Sequence, residues 1–460
     1  MTVENKLDTL AQCANKLQSK ASFVKVFGRV NSIGAQGISI SGLAFSVRIG
    51  NFVSILSGKE RVLSEVISIS GDGILVLPLE AKNSIALGDR AVASGVLEMF
   101  PDQSWKGRMC NALAEPIDDL GPLAKGTSAV SLHARPPPAM TRQAIQSKIT
   151  TGVKAIDVFT PVCHGQRVGI FAGSGVGKST LLGMMSRASG FDTVVVTLVG
   201  ERGREAREFV HGVLGDALSK CVLIVATSDE PPVMRRTAAL LATSVAEYFR
   251  DQGDRVLLIM DSVTRYAQAC REIALAAGEP PVARGFPPSV FSELPKLLER
   301  AGPGAEGKGS ITGIYTVLVD GDDHNDPVAD TVRGTLDGHI VLDRKIAASG
   351  RYPAIDLLES VSRLSTKAWT QTDAKQVSNW KRLVSRYEES RDVRMLGGYS
   401  RGADPELDLA VTLVPRLYTA IEQSSANALC EDAFRAVSQH LQVNDQAVLR
   451  SNTQEEPPMS

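Results

Sequence analysis

Residues 172–180 read Ala172-Gly173-Ser174-Gly175-Val176-Gly177-Lys178-Ser179-Thr180. They follow an apolar run at 166–171 and precede a helix-like run at 179–185. Small residues at 172, 173, 175 and 177 let the backbone wrap closely around a phosphate. The amides of the turn and the start of the helix then face its negative charge. In such a phosphate-binding loop Lys178 is placed to reach the β- and γ-phosphates of a nucleotide, and Ser179 to offer its hydroxyl to Mg²⁺. The first position carries Ala172 rather than glycine, a residue small enough to keep the turn.

The strand–loop–helix unit predicts its own surroundings. Apolar strand candidates at 193–199, 222–226, 255–260 and 311–319 alternate with helix-like stretches, the clearest at 238–250 and 266–277. That alternation, from about 147 to 362, implies a mostly parallel, doubly wound α/β sheet of the P-loop NTPase kind within a domain of 98–365. Ahead of it, short β-type runs at 24–30, 37–40, 45–49 and 73–77 are split by glycines, so 23–97 is expected to be a small β-barrel or sandwich. A loop-rich connection marked by Gly121-Pro122 and Pro136-Pro137-Pro138 lies between. Residues 366–450 have a helical pattern, broken at Gly397-Gly398 and near Pro405, and 451–460 are polar and expected to be disordered. Residues 1–22 hold a helical stripe of Leu7, Leu10, Ala14 and Leu17. It needs an apolar surface to dock on, in this chain or in a partner.

Composition excludes several classes. The formal net charge is −1, which offers no basic surface for nucleic acid. Six scattered cysteines without paired spacing suit a reducing cytoplasm better than a disulfide framework, and the six histidines do not cluster with them into a zinc site. The start lacks the apolar core of a signal peptide, and no apolar run approaches the ~20 residues that span a bilayer.

Two acids accompany the loop. The run Leu257-Leu258-Ile259-Met260 ends in Asp261. A buried strand ending in an acid sets a carboxylate at the carboxyl edge of the sheet, where it organises Mg²⁺ beside a P-loop; elsewhere such an acid commonly caps the next helix. Gly200-Glu201-Arg202-Gly203-Arg204-Glu205 follows the strand at 193–199. ATP hydrolysis needs a carboxylate to orient and polarise water, and Glu201 is placed for it; a solvated charged loop has the same look.

These residues together resemble the ATP synthase α/β superfamily of rotary-type hexameric ATPases, and within it most of all the flagellar and type III secretion export ATPases. The resemblance runs from about 25 to 440. Thr151-Gly152-Val153-Lys154-Ala155-Ile156-Asp157 matches the family's approach to the P-loop, and Gly200-Glu201-Arg202 its motif with the catalytic glutamate. Pro353-Ala354-Ile355-Asp356-Leu357-Leu358-Glu359-Ser360-Val361-Ser362-Arg363 matches the long family signature. The runs at 271–281, 291–300 and 319–327 resemble the export branch, and 396–405 its flagellar version. Met109-Cys110-Asn111 departs from the usual Val-x-Asp, a departure counted against the N-terminal barrel.

The resemblance implies a RecA-like core with an N-terminal barrel and a C-terminal helical domain, working as a catalytic homohexamer with ATP and Mg²⁺. Glu201 activates water, Arg202 and Arg265 support the γ-phosphate, and Asp261 organises the metal. Tyr352 stacks on adenine, and Arg363 is an arginine finger offered to the neighbouring subunit's nucleotide. The partners it implies are a regulatory stator-like protein at the N-terminal segment, a central stalk-like protein, the export gate and chaperone–substrate complexes. The place it implies is the cytoplasmic face of the inner membrane at the flagellar base, with peripheral membrane association only. An injectisome ATPase, a nucleotide-binding scaffold without necessary turnover and a hexameric RNA translocase are the competing readings. The last is disfavoured by the few paired basic residues among Phe23, Phe27, Phe45 and Phe52.

Overall fold

The computed structural model describes residues 26–80, 84–145, 147–319 and 326–452, with backbone alone at 211, 216 and 443–452. The stripe at 1–22 lies outside the described residues, as do 320–325 and the tail from 453. Among the described residues two compact units are present, one of 26–97 with 273–279, the other of 98–272 with 280–452.

The first unit is a closed six-stranded barrel. Its strands are β1 (Phe27–Gly34), β2 (Gly37–Ser41), β3 (Phe52–Ser57), β4 (Glu60–Ser70), β5 (Gly73–Pro78) and β6 (Arg90–Gly95), in the order β1-β2-β5-β4-β3-β6. Gly28 pairs with Ala91 to close it. Alternation sends Val30, Ile38, Ile40, Val53, Ile55, Val66, Ile74 and Val76 inward. Each such buried Val or Ile contributes about 1.5–3 kcal/mol over an exposed one. The run at 45–49, expected as a strand, is instead a turn-rich connection. Leu43 and Val47 are buried while Phe45 stands fully exposed, so the apolar residues there fill the barrel end rather than pair in the ladder. Strands β3, β4 and β6 were not anticipated.

The second unit holds a mixed, mostly parallel sheet. Its main strands are β7 (Arg167–Ala172), β8 (Thr193–Glu201), β9 (Cys221–Thr227), β10 (Arg255–Asp261), β11 (Ser310–Leu318), β12 (Gly338–Leu342) and β13 (Ile355–Ser362). Their order is β13-β12-β7-β11-β10-β8-β9, with Met109–Cys110 pairing parallel to β9 at the edge. Met109 and Cys110 therefore belong to this sheet and not to the barrel. Arg108 explains their local setting, because its guanidinium binds Asp118 at 2.7 Å while that carboxylate also accepts the Met109 amide. The strands read as near-continuous Val, Ile and Leu because both faces of a parallel sheet are covered. β13 alone among the main strands runs antiparallel, with Leu342 opposite Ile355 and Gly338 opposite Ser362.

Helices α1 (Lys154–Phe159), α2 (Lys178–Ser186), α3 (Pro232–Asp251) and α4 (Val263–Ala276) precede or connect strands. The third starts six residues before the expected helix, at a proline whose fixed φ suits the first helical position. Beyond the sheet come α5 (Gln371–Glu389), α6 (Pro405–Ile421) and α7 (Ala433–Asn452). A Thr370–Asp373 capping box starts α5. Its Val377, Trp380, Leu383 and Val384 face Ala410, Val414 and Leu417 of α6 in a core shared with the sheet. Trp380 meets Phe159 of α1 at 6.0 Å and stacks on Phe434 of α7 at 6.4 Å. No described helix is long and apolar enough to cross a membrane.

Candidate active site

The approach to the site is fixed by Asp157. Its carboxylate accepts the Thr151 amide at 2.9 Å, the Thr151 hydroxyl at 2.8 Å and the Gly152 amide at 3.0 Å. This pins the turn before α1 to the helix. Burial pushes the Asp157 carboxyl up to about 6, against the pull of those donors.

Ala172 ends β7, and Gly173 to Gly177 form the loop that enters α2. Gly177 caps the helix at φ +92°, a left-handed conformation that costs glycine little. Val176 is buried as an anchor, while Ser174, Gly175, Ser179 and Thr180 are exposed. The loop, the ends of β8, β10 and β11, and the start of α4 enclose a cavity of about 600 Å³. Its lining includes Lys178, Ser179, Glu201, Arg202, Asp261 and Arg265.

Three charged groups meet inside it. The Lys178 ammonium stands 2.5 Å from Asp261 Oδ1 and 3.3 Å from Glu201 Oε1. Burial works to lower the lysine pKa, but the two carboxylates outweigh it and the ammonium is held above its ordinary range. Glu201 is raised chiefly by burial, with Lys178 opposing and the neighbouring Glu205 adding to the rise. Asp261, 2% exposed, also accepts the Thr316 hydroxyl at 2.6 Å.

The arginines differ from one another. Arg265 donates to Gln268 at 2.9 Å and leaves a buried Nε without a hydrogen-bond partner. Gly200, at φ +68°, lets the Glu201 loop pass it, since a Cβ there would lie 3.0 Å from Arg265 Cβ. Arg202 is 81% exposed and has only a loose pairing with Glu205 at 3.7 Å.

Tyr352 and Arg363 lie outside the cavity lining. Tyr352 precedes β13 at the carboxyl end of the parallel strands. A Cβ built on Gly177 would be 3.5 Å from its ring, so the tyrosine flanks the P-loop. Arg363 follows β13 at the opposite end. Its amide donates to Asp337 at 2.9 Å and its exposed guanidinium reaches only the Arg333 carbonyl at 3.5 Å. β13 bulges so that its eight residues span only the five of β12, Ser362 opposite Gly338 and Ile355 opposite Leu342, and its two ends lie roughly 13 Å apart, with Arg363 at the end away from Tyr352 and the P-loop.

Thr316, Glu205 and Phe209 were not singled out from the sequence. The last two sit in the stretch after Glu201 and line the cavity. Thr316 had a legible signal, a polar residue inside the apolar run Ile314-Tyr315-Thr316-Val317-Leu318.

Residues 152–362 match the model of the ATP synthase alpha/beta family nucleotide-binding domain, and 369–436 that of the T3SS EscN ATPase C-terminal domain. The chain is similar to the flagellum-specific ATP synthase of Agrobacterium fabrum, 53% identical over 432 residues, covering 94% of this chain and 91% of that protein. Among solved structures it is similar to the assembled ATPase EscN of the enteropathogenic E. coli type III secretion system, at 42% identity and a TM-score of 0.84, covering 90% and 99% of the two chains. EscN in complex with its central stalk EscO matches at 42% identity and a TM-score of 0.82, covering 90% and 100%. Both the sequence identity along nearly the whole length and the agreement of all but a tenth of the chain with EscN place this chain in the ATP synthase α/β family, among its flagellar and type III secretion ATPases.

Proposed function

We propose that this chain is the Mg²⁺-dependent ATPase of a flagellar type III protein export apparatus, hydrolysing ATP to ADP and phosphate as a subunit of a homohexamer. The observation that carries this reading is the convergence of Lys178, Glu201 and Asp261 in one cavity at the P-loop. The donor set fits a Mg²⁺–nucleotide: an ammonium shared by two carboxylates, an exposed Ser179 hydroxyl and an arginine with an unpartnered buried nitrogen. Ser179 and, through water, Asp261 would hold Mg²⁺, which when bound offsets charge on the phosphate oxygens.

The residues then divide the work. Lys178 turns from the carboxylates to the β- and γ-phosphates. Glu201, released from its lysine, orients the attacking water and accepts its proton. Arg265 and the exposed Arg202 support the γ-phosphate. Tyr352, beside Gly177, stacks on the adenine. Arg363 stabilises charge on the phosphoryl group of the neighbouring subunit's nucleotide, because its own P-loop lies at the other end of β13.

By analogy with EscN, which forms an assembled ATPase and a complex with a central stalk, this chain would take a stalk-like protein. We extend this to a stator-like regulator at residues 1–22, the export gate and chaperone–substrate complexes. The setting is the cytoplasmic face of the inner membrane at the flagellar base, with peripheral membrane association and no nucleic acid. A second reading, the ATPase of a virulence-type injectisome, is supported by the 42% identity to EscN; the 53% identity to a flagellar relative favours the first. Replacing the chromosomal copy with Lys178→Ala tests it. The expected result is normal protein level, loss of ATP hydrolysis in the purified protein and loss of external flagellar filaments. Intact filaments with hydrolysis abolished would count against a flagellar role for turnover.

A further inference from the structure

Thr316 sits in β11 between the two strands that feed the cavity. Ile170 of β7 lies opposite it on one side, and Met260 of β10 lies opposite its neighbour Tyr315 on the other. It is 0% exposed. A hydroxyl in such a place is costly unless hydrogen-bonded, and valine has nearly the same shape. Here the hydroxyl is spent on Asp261. Oγ1 is 2.6 Å from Asp261 Oδ1 and 3.3 Å from the Met260 carbonyl, and with one proton to give, the shorter contact takes it. That separation is typical of a hydroxyl donating to a carboxylate. Lys178 bonds the same Oδ1, so neither bond consumes Oδ2. Two residues on, the Leu318 amide donates to the Thr264 hydroxyl at 2.8 Å, tying the end of β11 to the start of α4 just past Asp261. The strand carrying Thr316 is thereby tied to the helix that follows the acid.

We propose that Thr316 is a positioning residue for Asp261, fixing the carboxylate so that Oδ2 is presented to the Mg²⁺–nucleotide. The inference rests on the reading of Asp261 as the metal-organising acid. Lys178 cannot do this throughout turnover, because it must leave Asp261 to reach phosphate. Thr316 is part of the sheet and stays.

The test compares Thr316→Val, Thr316→Ser and Asp261→Asn in the full-length protein. Affinity for a fluorescent ATP analogue is measured with Mg²⁺ and with EDTA, beside the melting temperature and the Mg²⁺ concentration for half-maximal turnover. Thr316→Val should weaken binding with Mg²⁺ by about tenfold, the scale of one hydrogen bond to a charged group, and leave binding in EDTA nearly unchanged. It should also raise the Mg²⁺ requirement, and Thr316→Ser should restore both. A Thr316→Val protein that keeps the full Mg²⁺ gain while Asp261→Asn loses it overturns the proposal alone. If Asp261→Asn keeps the gain as well, the reading of Asp261 falls with it. Equal weakening with and without Mg²⁺, together with a lower melting temperature, marks Thr316 as structural and also overturns the proposal.

Discussion

At the scale of single residues, the site is held in a compensated state by its own charges. Lys178 is shared by two carboxylates, so neither Glu201 nor Asp261 is left without a cation beside it. On the proposed reading, an incoming triphosphate competes for the lysine and thereby frees Glu201. Replacing Glu201 by glutamine should keep nucleotide binding and lower turnover by about 10²–10⁴-fold, because the amide preserves shape without accepting a proton. Single-turnover hydrolysis beside equilibrium binding of an ATP analogue checks this; lost affinity with unchanged maximal turnover would make Glu201 a structural loop residue. Lys178 and Ser179 were legible in the sequence because their chemistry is written within nine consecutive residues. Asp261 and Glu201 became legible only as strand ends beside that loop. Thr316 escaped because its meaning depends on which strand lies next to β10, and strand order is not local.

At the scale of elements, long continuous apolar runs were read well and short runs of the barrel were not. β8 and β10 are apolar over most of their length, as strands covered on both faces are. The barrel strand β3, Phe-Val-Ser-Ile-Leu-Ser, buries five of its six residues and so lacks the alternation that marks a strand, whereas 45–49 alternates and is a turn. The turn before α1 shows how a short element is held by one buried acid. Asp157 has a folded pKa of about 6 against an ordinary value of 3.8, so the native state binds more protons than the unfolded chain between those values. Its contribution to stability is fully present below about pH 4 and lost as pH rises through about 6. Asp157→Asn removes this titration. Wild type should therefore lose about 3 kcal/mol relative to the variant between pH 4 and 7, with little change above. Denaturant titrations across that range measure the gap; a gap independent of pH would mean that the three donors around the carboxylate overcome its burial.

At the scale of the whole molecule, the direction of one strand underlies the proposal that a working site needs two chains. The sequence marked 353–363 as a signature but not as an antiparallel strand, and it is that reversal which sends Tyr352 to the P-loop end and Arg363 to the other. Arg363 is exposed and among the described residues has no carboxylate partner, only a long contact to the Arg333 carbonyl. A guanidinium at the end of the strand away from its own P-loop supports the proposal that it serves a second copy of the chain. Specific activity should therefore rise with protein concentration as subunits associate, and constant activity across the monomer-to-oligomer range, followed by light scattering, would remove the shared site. The sharper test mixes two inactive proteins. Arg363→Ala subunits keep Glu201, and Glu201→Gln subunits keep Arg363. In randomly mixed rings about one interface in four joins an intact Glu201 to an intact Arg363 across the boundary. Mixing should recover up to that share of wild-type turnover, whereas each variant alone stays inactive at any concentration. A site complete within one chain could not be rescued this way, because no subunit in the mixture carries both residues.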